Sequence, residues 1–130
     1  MNPRILITAI LAVGVLSLQA AQAQQEIQRT DLLQKDITVS GKEVVQARVD
    51  FNLGAASISH KHPGEEVAFV LEGALEYQLE GQAPVILKAG QSLFIPSGVA
   101  HLARNVGEGK ASELATYIVS KGATLVEPVE

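Results

Sequence analysis

From residue 43 onward, apolar and polar residues mostly alternate with the period of two expected of half-buried strands. No stretch there keeps a helical period for more than about ten residues. The clearest alternation runs over 43–53, with Val45, Ala47, Val49 and Phe51 on one face and Gln46, Arg48 and Asp50 on the other. Such a strand buries its apolar face; the alternative turns Gln46 or Arg48 toward a ligand pocket. Shorter strands are expected at 57–62, 65–72, 75–79, 84–87, 92–95, 99–105 and 111–120. Turn signals separate them: Pro63-Gly64, Gly73-Ala74, Glu80-Gly81-Gln82, Lys88-Ala89-Gly90 and Pro96-Ser97-Gly98. Short strands with frequent turns predict an all-β sandwich or barrel of six to eight strands. Residues 24–40 are polar and weakly patterned, and the segment around Arg29 reads as an edge strand or loop, lying along the barrel or swapped to a partner. Residues 121–130 read as an irregular tail.

Composition changes this picture at the N-terminus. Arg4 is followed by an apolar run over 5–18 and the small-x-small site Ala21-Gln22-Ala23, the layout of a secretory signal peptide over 1–23. The run is short for a membrane span, which needs about twenty apolar residues. The expected mature chain, 24–130, suits one domain with one core, in a periplasmic or secreted location and with no membrane partner after cleavage. Its formal charge falls from −4 to −5 with the loss of Arg4, and an acidic chain without a basic patch gives no support for a nucleic-acid partner. The chain has no cysteine, which excludes disulfides, a thiolate nucleophile and thiolate metal ligands.

The candidate chemistry is concentrated in two stretches. His60 and His62 are spaced i and i+2, so on a strand they share a face about 7 Å apart. A turn at Pro63-Gly64 brings Glu66 back beside them. The remaining histidine of the three in the chain, His101, lies in the second stretch. Parity along the strands places Glu65 on the face opposite Glu66. By the same parity Ile58, Ala68, Val70, Val99 and Ala103 line the ligand faces. On the last strand either Ala115, Tyr117 and Val119 or Leu114, Thr116 and Ile118 face inward. The neighbours of the site are therefore expected to be aliphatic, with Tyr77 and Tyr117 as hydroxyl donors and Arg48 as the one candidate cation. A small, mostly apolar or phenolic ligand suits such a pocket better than a sugar phosphate.

Gly54, His60, His62, Glu66 and Gly73 match G-x5-H-x-H-x3-E-x6-G, and Gly90, Pro96, Gly98, His101 and Asn105 match G-x5-P-x-G-x2-H-x3-N. At roughly one in twenty per position, a chance match to all ten is on the order of 10⁻¹³ per placement. In these stretches the chain resembles the small, exported single-domain cupins of bacteria, over about residues 44–120. The resemblance implies a cupin jelly-roll barrel. It also implies a homodimer paired through sheet edges. It implies one divalent transition metal held by His60, His62, Glu66 and His101. Imidazole and carboxylate suit Fe, Mn, Ni, Cu, Co or Zn alike. Similarity to the quercetin-dioxygenase-like cupins further implies a metal that holds an enol or phenol oxygen and activates dioxygen, with Glu66 both ligand and catalytic proton acceptor. A non-catalytic metal and small-molecule sensor is the alternative, and a cupin isomerase a third, because one barrel supports many chemistries.

Overall fold

The structure, a computed structural model, describes residues 26–130; the expected signal peptide over 1–23 lies outside the described residues. Ten strands follow in order: β1 (Ile27–Asp36), β2 (Lys42–Phe51), β3 (His60–Lys61), β4 (Gly64–Glu72), β5 (Ala74–Leu79), β6 (Val85–Lys88), β7 (Ser92–Ile95), β8 (His101–Asn105), β9 (Ala111–Ser120) and β10 (Glu127–Pro128). They form two five-stranded sheets, ordered β1-β2-β9-β4-β7 and β10-β3-β8-β5-β6, and there is no helix among the described residues. Every strand pairing is antiparallel. This is the jelly roll that the motif resemblance implies, with ten strands where six to eight are expected, because the N-terminal segment and the tail each add one.

The strands bury the faces their alternation selects. On β4, Glu66, Ala68 and Val70 are buried while Glu65, Val67 and Leu71 are exposed. On β5, Leu75, Tyr77 and Leu79 point inward. On β9 the inward set is Glu113, Ala115, Tyr117 and Val119, which settles the two parities left open. The core between the sheets is built by Phe51, Val70, Leu75, Tyr77 and Ile95 with small residues such as Ala68 and Ala103. Two glycines are required by geometry. A Cβ on Gly64 would lie 1.9 Å from the Ile118 carbonyl oxygen, so β4 can approach β9 there only with glycine. Gly73 turns β4 into β5 at φ +74, and a Cβ would also meet the Lys110 oxygen at 2.6 Å.

Three expectations need correction. The strand expected at 57–62 is paired as strand only at His60–Lys61; before it the chain makes a single bridge, Ala56 to Arg104, and the Ser57 amide bonds the Ala103 carbonyl. The tail is not wholly irregular, because β10 pairs with β3, Glu127 opposite Lys61 and Pro128 opposite His60. Gln46 and Arg48 turn away from the core side: Gln46 bonds Thr116, and Arg48 bonds Asp50 and Ser112. The N-terminal segment is a full strand along β2 of its own chain, with a bulge between Asp31 and Leu33.

Candidate metal centre

His60 and His101 face each other as a register pair of β3 and β8, and His62 follows on the same side at the turn into β4. Their ring centroids are 4.4 to 5.0 Å apart, and one nitrogen from each ring lies within 4.8 Å of the others. The backbone fixes the orientation of all three rings. Nδ1 of His60 donates to the Ile58 carbonyl at 2.8 Å, Nδ1 of His101 to the Val99 carbonyl at 2.9 Å, and Nδ1 of His62 to the Leu125 carbonyl at 2.6 Å. A carbonyl only accepts, so each Nδ1 carries the proton and each neutral ring is left with its lone pair on Nε2.

Glu66 enters the same space from β4, 3% exposed, with Oε2 2.9 Å from His62 Nε2 and 3.2 Å from His101 Nε2. Neither His62 Nε2 nor Glu66 Oε2 has another partner. Carboxylate oxygens and imidazole lone pairs are all acceptors, so the cluster is stable only with protons or a cation among them. Without a cation, burial pushes the Glu66 carboxyl up, but hydrogen bonds from His101 and His62 win and hold it down to about 2. Burial pushes His60 down, whereas for His101 the Glu66 hydrogen bond outweighs burial and raises it. Rings whose Nδ1 protons are held by backbone carbonyls, leaving Nε2 free beside a carboxylate, are the arrangement that metal-ligating histidines show. The donor set thus fits a transition-metal ion.

Beside the cluster is a cavity of about 170 Å³, walled by Phe51, Ala103, Tyr77, Tyr117, Glu113 and Arg29 among others. Tyr117 stands edge-on to His62 with ring centroids 4.6 Å apart. Tyr77 donates its hydroxyl to Glu113, and burial pushes both tyrosines up, beyond the range in which they ionise in neutral solution. Glu113 is 6% exposed; burial and the charge of Glu66 raise its carboxyl to about 7, against the pull of Tyr77. A groove of about 490 Å³ lies between β1 and the inward-facing Val45 and Val119 and shares Arg29 with the cavity, but none of its walls is a histidine.

The structure brings together His60, His62, Glu66 and His101 and leaves Glu65 exposed on the opposite face. Asn105 of the second motif is a brace: its amide donates to the carbonyls of Phe51, Asn52 and Gly109 and accepts from the Gly107 amide. Ile58 supplies a carbonyl and the rim of the cavity, its side chain largely exposed. Sequence reasoning passed over Glu113, although it stands two residues before Ala115 on the inward face of β9. It also assigned the candidate cation to Arg48; Arg29 lines the cavity instead. No local signal marks Arg29 or the Leu125 carbonyl, since both reach the site through sheet order.

A β jelly roll that gathers three histidines and a carboxylate beside its cavity defines a class of barrels whose donor set can hold a metal. Residues 47–128 match the cupin domain family, and the chain belongs to it. The chain is 44% identical over 45 residues to the dimethylsulfoniopropionate lyase DddQ of Ruegeria pomeroyi, covering 35% of this chain and 22% of that protein. It is 34% identical over 79 residues to germin-like protein 1-1 of Oryza sativa subsp. japonica, covering 57% of this chain and 37% of the relative. The chain therefore spans well under half the length of these curated relatives. An oxalate oxidase in complex with the substrate analogue glycolate superposes with a TM-score of 0.65 at 25% identity, over 80% of this chain and 55% of the other.

Proposed function

We propose that this protein is a mononuclear metalloenzyme of dioxygenase type, in which His60, His62, His101 and Glu66 hold one divalent transition metal beside a pocket for a small phenolic or enolic substrate. One observation carries the reading: three imidazoles whose Nδ1 protons are committed to carbonyls aim their lone pairs at a space that a buried carboxylate shares. A bound ion of this kind supplies redox chemistry with dioxygen and a positive centre for a substrate oxygen. His60, His62, His101 and Glu66 would hold the ion, and the cavity beside them would give a substrate access to it.

The remaining work falls to the chain. Phe51, Val49 and Ile27 exclude water from the cavity, and Tyr117 packs against the His62 ring. Glu66 accepts the proton of the phenol or enol. Glu113 is a second acceptor in the same pocket, with a proton affinity close to neutral. A second reading keeps the same ligands but makes the protein a holder of metal and small molecule without turnover; it is favoured by Tyr77 and Glu113 satisfying each other. Protein loaded in turn with iron, manganese, nickel, copper or cobalt is offered a panel of small phenols and enols, with oxygen uptake followed under air and product under argon. The dioxygenase reading predicts uptake in step with product and none under argon. Product under argon without uptake marks an isomerase, and retained metal with no turnover marks the holder.

A further inference from the structure

The cavity has one cationic side chain in its wall, and it comes from outside the motif stretches. Arg29 of β1 reaches over the Tyr117 ring, its guanidinium carbon 5.5 Å from the ring centroid, with side-chain exposure of 30%. Nε is committed to Asp31 at 2.9 Å and Nη1 makes a long contact of 3.4 Å with the Tyr117 hydroxyl. Nη2 has no protein partner among the described residues. Burial weakens and the tyrosine and Asp31 strengthen its hold on its proton, and the net effect keeps it charged. The other ionisable groups facing the cavity are Glu66, Glu113, His60, His101, Tyr77 and Tyr117. With a divalent ion in place, that ion and Arg29 outweigh Glu66 and Glu113 inside the cavity; Asp31, the ion-pair partner of Arg29, is 82% exposed and not in the cavity wall, so water screens its charge. The loaded pocket is then positive and buried, a condition that an anion relieves.

We propose that Arg29 is the anion-recognising residue of this pocket, and that the substrate is a small hydroxy or enol acid, its oxygen donor turned to the histidines and its carboxylate to the guanidinium. The planar edge of an arginine matches carboxylate and phosphate oxygens alike, and a small cavity with one arginine in its wall suits the smaller, singly charged carboxylate. Size agrees: about 170 Å³ is room for about six waters at roughly 30 Å³ each, hence for a ligand of about that many heavy atoms. The apolar wall of Ile27, Val49 and Phe51 leaves the two polar ends to set the orientation. This inference rests on the metal reading above and adds a carboxylate to its substrate, with an aliphatic hydroxyl allowed in place of the phenol or enol.

The test uses cobalt-loaded protein and two probes of equal size, lactate and lactamide, which differ in charge. Binding is followed by calorimetry and by the visible spectrum of cobalt, and cobalt content by elemental analysis of the same samples. Wild-type protein should bind lactate about ten-fold or more tighter than lactamide. Arg29→Gln should lose that preference while retaining cobalt and lactamide affinity, and Arg29→Lys should keep part of it. Loaded wild type without a preference for lactate, or loaded Arg29→Gln that keeps the wild-type preference, overturns the role of Arg29 and leaves the metal reading standing. Wild-type protein that takes up no cobalt overturns both.

Discussion

Glu66 and Glu113 occupy neighbouring strands and one pocket, yet their surroundings move them in opposite directions. Glu66 meets two imidazoles and is held near 2, whereas Glu113 meets burial, the charge of Glu66 and a tyrosine hydroxyl and rises to about 7. Metal-free folded protein therefore holds a proton on Glu113 that the unfolded chain releases above its ordinary 4.5. The stability from this proton is fully present below 4.5 and is lost as pH rises through about 7. In metal-free protein the melting temperature should fall from pH 5 to pH 7.5 by about 10 °C more in wild type than in Glu113→Gln, whose amide still accepts from Tyr77. Parallel melting curves would show that Glu113 is ionised throughout. Residue chemistry was legible wherever strand parity applied: His60, His62, Glu66 and Glu65 follow from it, and Glu113 obeys the same rule on β9. Arg29 does not, because nothing within β1 says which strand it will pair with.

At the scale of elements, the least obvious contribution comes from the tail. β10 adds an edge to β3, and the Leu125 carbonyl just before it fixes the His62 ring. The pairing of β3 with β8 is a single residue pair, so β10 supplies much of what holds the first histidine strand in register. Deleting residues 124–130 should leave the β-sheet circular-dichroism spectrum intact and weaken metal affinity about 10- to 100-fold, the usual cost of losing a partner of a ligating histidine. Unchanged affinity in a folded truncation would make the tail a covering only. A tail of mixed composition with Pro128 gives no strand pattern, so its two-residue pairing arises from tertiary context rather than propensity. The long strands are different. β2, β4 and β9 announce themselves by alternation and carry the sheet that presents Glu66 and Glu113.

At the scale of the molecule, β1 presents its outer edge unpaired among the described residues, with Leu32 and Leu33 exposed at 52% and 48%. An open edge ten residues long is a surface that soluble proteins cover. We propose that a second copy covers it. Sedimentation equilibrium at micromolar concentration should then return the mass of a dimer, and a monomer would refute the pairing without touching the fold. Export is likewise proposed: mass spectrometry of protein recovered from outside the cytoplasm should find Gln24 as the first residue. An intact leader there would contradict it.

The most direct test of the metal centre is the metal content of four proteins purified in parallel: wild type, His101→Ala, Glu66→Gln and Glu65→Gln. Wild type should carry one divalent ion per chain, with affinity falling as pH drops through about 6.5 because protons compete for the ring nitrogens. His101→Ala should lose most of the ion, Glu66→Gln should weaken its hold to a smaller degree, and Glu65→Gln should match wild type, since its side chain lies on the exposed face of β4. If all three substitutions leave metal content untouched, or if Glu65→Gln strips the ion while Glu66→Gln keeps it, the centre is not where these residues place it.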